Sequence, residues 1–284
     1  MCLVRMRRRI DFFVQAAYRH AFGPFARRAL RRALERGLPP TFRPAIEFLI
    51  NNSLDPAARV TAARVELLRD AVARRTETFR VTFASTDPRR TGEQIAAYFS
   101  VNRKWGLVLH LCAREFDANT ILELGSCAGI SGSYLASAPT CRHFVTVEAT
   151  PELAALAAHN LGQVFPPAEV QNGFIEEVLP AVLSKFKQGI DLVYIDARHE
   201  RDATLSSWRQ LRPRLNNGSL VVFDDIRLSP GMWEAWNIVR KETGLSCTVD
   251  LGRFGFCLHD SRATHAAHHD FAIYTGWWRI LRRK

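Results

Sequence analysis

The sequence predicts an α/β fold: a doubly wound, mostly parallel seven-stranded sheet closed by a C-terminal antiparallel hairpin and preceded by a helical N-terminal segment. Three observations carry that prediction. Between 120 and 223, short runs of β-branched and aliphatic residues alternate with helix-length segments, the pattern of strands that need crossover helices. Three of those runs end on acids, at Glu148, at Asp196 and at the pair Asp224 and Asp225. The last two strand-like runs, 246–251 and 254–259, are separated only by Gly252 and Arg253, so they form a hairpin.

Taken in order, residues 11–36 read as helical with a break at Gly23-Pro24. In the second half, Phe25/Ala26, Ala29/Leu30 and Ala33/Leu34 alternate with Arg27/Arg28, Arg31/Arg32 and Glu35/Arg36, which sets an apolar stripe against an arginine stripe. Packing of that stripe on the chain's own domain is the first reading, and contact with anionic lipid the second. Pro39, Pro40 and Pro44 punctuate a link to a helix over 56–75, where Val60, Ala63, Leu67, Leu68 and Ala71 recur at helical spacing. Segment 76–93 reads as irregular, and a helix over 94–116 leads to the first strand.

Strand 120–124 runs into a small-residue turn and a helix, and strand 143–147 ends at Glu148. A helix opens at Thr150-Pro151-Glu152 with cap, proline and acid in order. Strands follow at 169–171, 190–195 and 219–223, with helices at 175–186 and 202–211 between them. The division that results is a basic helical segment at 1–100, a catalytic domain at 101–260 and a basic aromatic tail at 261–284.

Composition limits the function classes. The 284 residues are 47% hydrophobic, enough for one α/β domain with an appended segment. The net charge of +11 is uneven: residues 1–100 hold 19 basic and 9 acidic side chains, whereas 101–275 hold 16 and 19. A polyanion-binding active site does not fit a mildly acidic catalytic part, and no nucleic-acid partner is expected. The basic ends leave peripheral membrane contact, self-association and simple solvation open, and the tail Trp277-Trp278-Arg279-Ile280 either docks on the N-terminal helices or meets lipid. Six scattered cysteines without a C-x-x-C pair suggest reduced thiols, and no apolar run is long enough to span a membrane, so a cytoplasmic location, with or without membrane contact, is expected. His265, His268 and His269 lie in a polar stretch without a carboxylate or cysteine partner and are not taken as ligands.

The candidate site is the turn after strand 120–124. Gly125 and Gly129 allow a ligand close to the backbone, and Glu148, 19 residues beyond Gly129 at the tip of the next strand, is placed to accept bonds from ribose hydroxyls. A dinucleotide fingerprint requires a glycine where Cys127 stands. The pattern Glu123-x-Gly125-x-Cys127-x-Gly129 instead resembles motif I of the class I S-adenosylmethionine-dependent methyltransferases, with Cys127 in place of the family's middle glycine. The closing hairpin also resembles that Rossmann-like fold. The resemblance covers about 100–260 and implies S-adenosylmethionine as cofactor, with Glu123, Gly125, Ser126, Cys127, Gly129, Ser131, Glu148 and Asp196 around it.

Asp196 lies 28 and 29 positions before Asp224 and Asp225. This spacing resembles the metal-ligand set of the catechol O-methyltransferase-like branch, with Asp225 where that branch has asparagine. The resemblance implies Mg²⁺ or another divalent cation on Asp196, Asp224 and Asp225. The branch's lysine base falls on His199, and a histidine suits proton removal near neutral pH. The expected activity is O-methylation of a small-molecule hydroxyl, with Asp196 and His199 as catalytic residues. The alternative is a methyltransferase-fold protein without turnover that binds membrane or a partner through its basic ends.

Overall fold

The computed structural model describes residues 23–81 and 88–275. The expectations for 11–22 and for the Trp277-Trp278 tail lie outside the described residues. A helix over 23–35 (α1) buries Ala26, Leu30 and Ala33, while Phe25 stays exposed. Its apolar stripe therefore packs on the chain's own core. Next come α2 (Arg43–Asn51) and α3 (Pro56–Ala73), the latter opened by Asp55, whose side chain accepts from Ala58 N at 2.9 Å, and by a proline in its first turn.

Two expectations for 76–116 are corrected. The stretch read as irregular contains an antiparallel pair, β1 (Thr78–Arg80) and β2 (Arg89–Thr91), with Phe79 opposite Arg90. The helix expected over 94–116 is broken: α4 (Gly92–Gln94) runs into a π-helical turn, Ile95–Phe99, and α5 (Arg103–Glu115) starts afresh. The break has a local cause. Asn102 is extended and its side chain accepts from Trp105 N at 3.1 Å, so it caps a new helix instead of continuing the old one. Arg69 on α3 then takes up freed carbonyls, donating to Ala96 O at 2.9 Å and Val101 O at 2.5 Å.

From here strand and helix alternate: β3 (Thr120–Leu124), α6 (Ile130–Ala136), β4 (His143–Glu148), α7 (Pro151–Gly162), β5 (Glu169–Asn172), α8 (Ile175–Ser184), β6 (Ile190–Ile195), α9 (Arg201–Leu211), β7 (Leu215–Phe223) and α10 (Pro230–Val239). The chain closes with β8 (Leu245–Asp250), β9 (Gly255–His259) and β10 (Ala267–Asp270). The sheet order is β10-β8-β9-β7-β6-β3-β4-β5, and β9 alone runs against its neighbours. The sheet therefore has eight strands, one more than expected. The extra strand, β10, has the sequence Ala-His-His-Asp, without the apolar alternation that marks a strand, and it pairs His268 with Thr248 and His269 with Val249 at the sheet edge.

The strands have period-two burial. Ile121, Leu192, Tyr194, Leu220 and Val222 face one layer, with α5, α6 and α7. Leu122, Leu124, Val193, Ile195, Val221 and Phe223 face the other, with α8, α9 and α10. The first of these cores runs without interruption from Ala26 to Phe271, so α1, α2 and α3 share it with the sheet. Gly106 on α5 permits the close packing, because a Cβ there would lie 2.3 Å from the ring of Tyr134 on α6, and Tyr134 Oη donates to Glu66 Oε1 on α3 at 2.9 Å. Among the described residues, no helix is long and apolar enough to cross a membrane.

Candidate active site

Parallel strands end on one side, and a cavity of about 600 Å³ opens there, at the carboxyl ends of β3, β4 and β6. Its floor is formed by Gly125, Cys127, Glu148, Asp196, His199, Asp225 and Arg253, and its far wall by Tyr98, Phe99 and Asn102 from the broken helix. Phe174, 39% exposed, stands at the side with Ile175.

The turn after β3 is pinned to β4. Gly125 N and Ser126 N both donate to Val147 O, at 2.9 and 3.2 Å. Gly125 has φ +96°, and a Cβ would stand 2.1 Å from Asp196 O, so this position admits only glycine. Cys127 also adopts a left-handed conformation, φ +46°, which explains how a side chain replaces glycine there: the turn keeps its path at a modest conformational cost. Glu148 closes the turn, accepting from Cys127 N on Oε2 at 2.8 Å and from Thr150 N on Oε1 at 2.9 Å. Burial pushes its pKa up, against the pull of those N–H groups. The Thr150 side chain and the Ala149 backbone also hydrogen-bond to this carboxylate, so it is held at the tip of β4 on the cavity floor.

Of the residues expected around a cofactor, Gly125, Cys127, Glu148 and Asp196 line the cavity. The others stand behind it. Gly129, φ +75°, caps α6 and lies against Ala157, and Ser131 is buried within α6. Ser126 Oγ is buried without a hydrogen-bond partner. Glu123 is fully buried; Thr146 Oγ1 donates to its Oε2 at 2.8 Å, while Oε1 has no partner. Burial pushes the Glu123 pKa up to about 7. These four shape the turn from below.

The acidic edge is organised around an arginine. Arg253, from the turn between β8 and β9, donates through Nε to Asp224 Oδ1 and through Nη2 to Asp224 Oδ2, both at 2.6 Å, and its Nε lies 3.4 Å from Asp225 Oδ1. Tyr194 Oη lies 3.0 Å from both Asp196 Oδ2 and Asp224 Oδ2. A phenol has one proton, so it donates to one acid and must accept from the other. Burial and the neighbouring Asp224 charge push Asp196 well above the usual carboxylate range. Asp224 is held below its ordinary value because Arg253 outweighs the effect of burial. His199 Nε2 lies 3.4 Å from Asp196 Oδ1.

The divalent cation expected on Asp196, Asp224 and Asp225 does not fit this arrangement. Among the described residues, no group of three His, Cys, Asp or Glu side chains is disposed to hold a metal ion. The reason is on the same edge: both oxygens of Asp224 are taken by one guanidinium, and Asp225, at φ +49°, pairs with the same group. The sequence reading missed Arg253, which looked like a turn residue, and Tyr194, which looked like core. The signal for Tyr194 was present, since it lies two positions before Asp196, which follows directly on the end of β6. Nothing in the sequence places Arg253 against β7, because that contact depends on β9 pairing with β7.

Residues 122–226 match a family described as a methyltransferase domain. Over 132 residues the chain is 32% identical to a catechol O-methyltransferase of Niastella koreensis; the match covers 45% of this chain, and the chain spans 58% of that relative's length. Among solved structures, the fold is similar to the O-methyltransferase TomG of Streptomyces achromogenes, with a TM-score of 0.51, 22% identity, and coverage of 73% of this chain and 91% of the other. It is also similar to the methyltransferase PaMTH1 of Podospora anserina, with a TM-score of 0.52, 14% identity, and coverage of 79% and 98%.

Proposed function

We propose, on the match of residues 122–226 to a methyltransferase domain, that the protein is an S-adenosylmethionine-dependent O-methyltransferase acting on a small-molecule hydroxyl. The observation that carries this reading is the meeting, in one cavity, of Gly125 and Glu148 with Asp196 and His199 on neighbouring strand ends. When bound, S-adenosylmethionine supplies an electrophilic methyl group. Glu148, held on the cavity floor by the amides of Cys127 and Thr150, is the residue that would accept the ribose hydroxyls. Cys127 and Gly125 offer backbone at the floor, without the room a pyrophosphate would need.

The acceptor hydroxyl enters between His199 and the wall formed by Tyr98, Phe99 and Asn102, so the N-terminal segment acts as the cap over the substrate side. His199 Nε2 lies 3.4 Å from Asp196 Oδ1, which leaves Nδ1 as the atom that would take the acceptor hydroxyl's proton. A divalent cation has no step in this mechanism, because Arg253 takes both oxygens of Asp224. The test is methyl transfer from labelled cofactor to a panel of hydroxylated aromatics, with His199→Gln alongside. The expected result is turnover that falls roughly 10²- to 10⁴-fold in the variant while S-adenosylhomocysteine affinity is unchanged. Undiminished turnover in His199→Gln would remove the histidine from the mechanism.

A further inference from the structure

We infer that the acidic edge of this cavity has Arg253 as its resident cation, and that Asp196, Asp224 and Asp225 form a guanidinium-neutralised cluster in place of a divalent metal site. The inference deepens the methyl-transfer reading, but its test needs no turnover. Its basis is geometric. A guanidinium paired side-on with a carboxylate satisfies both oxygens with two directed, charge-assisted bonds, and Arg253 does this to Asp224 at 2.6 Å on each oxygen. Asp224 is fully buried, with its side chain 0% exposed, so a metal would have to displace a desolvated ion pair and not water. The remaining ligands are drawn into the same network: Tyr194 bridges Asp196 and Asp224, and Asp225 faces Arg253 Nε.

The arginine is anchored by backbone as well as by charge. Ile226 N donates to Arg253 O at 3.1 Å, which ties the β8–β9 turn to the segment directly after Asp224 and Asp225. The ring of Phe254 lies beneath the guanidinium, 5.7 Å from centroid to Cζ. The side chain is 19% exposed, its Nη1 takes no part in the bonds to Asp224 and Asp225, and it lines the cavity. Arg253 thus acts as a positioning residue for the acids of this edge.

The experiment is titration of the purified full chain with Mn²⁺, followed by electron paramagnetic resonance of the free ion, together with thermal melts in Mg²⁺ and in EDTA. Wild-type protein is expected to bind no Mn²⁺ saturably below about 1 mM and to melt at the same temperature in either buffer. Arg253→Ala is expected to melt roughly 10 °C lower, because a buried carboxylate loses its partner, and to regain part of that loss with Mn²⁺ as it acquires a site at least tenfold tighter than wild type. Arg253→Lys retains a cation and is expected to stay indifferent to Mn²⁺, which keeps the inference testable if the alanine variant does not fold. One equivalent of Mn²⁺ bound by wild type and lost in Asp196→Asn would overturn it. S-adenosylhomocysteine binding by the same wild-type sample decides the cofactor reading separately.

Discussion

Glu123 is buried beneath the turn with Thr146 on one oxygen and nothing on the other, and its pKa is raised to about 7 from an ordinary 4.5. Between those values the folded chain holds a proton that the unfolded chain has released, so stability falls as pH rises through that window. Above pH 7 the whole penalty applies, about 3 kcal/mol. Glu123→Gln removes the titration. It is expected to melt higher than wild type at pH 8 and to show a flatter melting profile between pH 5 and 8; an unchanged slope would show that Glu123 is ionised without cost in the folded chain. The neighbouring Cys127 gives a second residue-scale lesson. The sequence presented it as a defect in the glycine pattern, and the backbone accommodates it at φ +46° with its amide still serving Glu148.

Among the elements, the break between the π-helical turn and α5 does most to shape the cavity. Asn102 makes the break by capping α5, and Arg69 stabilises it from α3, so Tyr98 and Phe99 reach the cavity wall rather than the helix–sheet interface. Asn102→Ala is expected to cost about 1 kcal/mol, or roughly 2–4 °C, and to weaken acceptor binding more than cofactor binding. Equal losses in both would mean that the segment supports the whole site. The sequence did carry a local signal for this break, the capping Asn102 within the polar stretch 102–104, but the apolar residues on either side read as one helix and the bonds of Arg69 to Ala96 O and Val101 O are tertiary. By contrast, β3, β4, β6 and the β8–β9 hairpin lie where the alternation and the Gly252-Arg253 turn put them, because buried parallel strands read as unmistakable apolar runs. β10 escaped because a four-residue polar edge strand carries no such signal.

At the scale of the whole molecule, the sheet order brings together residues that the sequence keeps far apart. Glu148, Asp196 and Asp224 converge because β4, β3, β6 and β7 are neighbours and parallel, which the strand-end acids already announced. Arg253 joins them only because β9 inserts antiparallel between β7 and β8, so the cation of the site stayed hidden while its acids were plain. The continuous core from Ala26 to Phe271 makes the N-terminal helices part of the same folding unit, and the arginine stripe of α1 remains on the outside of it. The central claim, that the cavity beside Glu148 takes an adenosylated sulfur cofactor, is tested most directly by calorimetric titration of S-adenosylhomocysteine into wild-type protein and into Glu148→Ala. Saturable one-to-one binding that weakens at least tenfold in the variant is the predicted result. No binding to folded wild-type protein, or equal binding by both proteins, would contradict it.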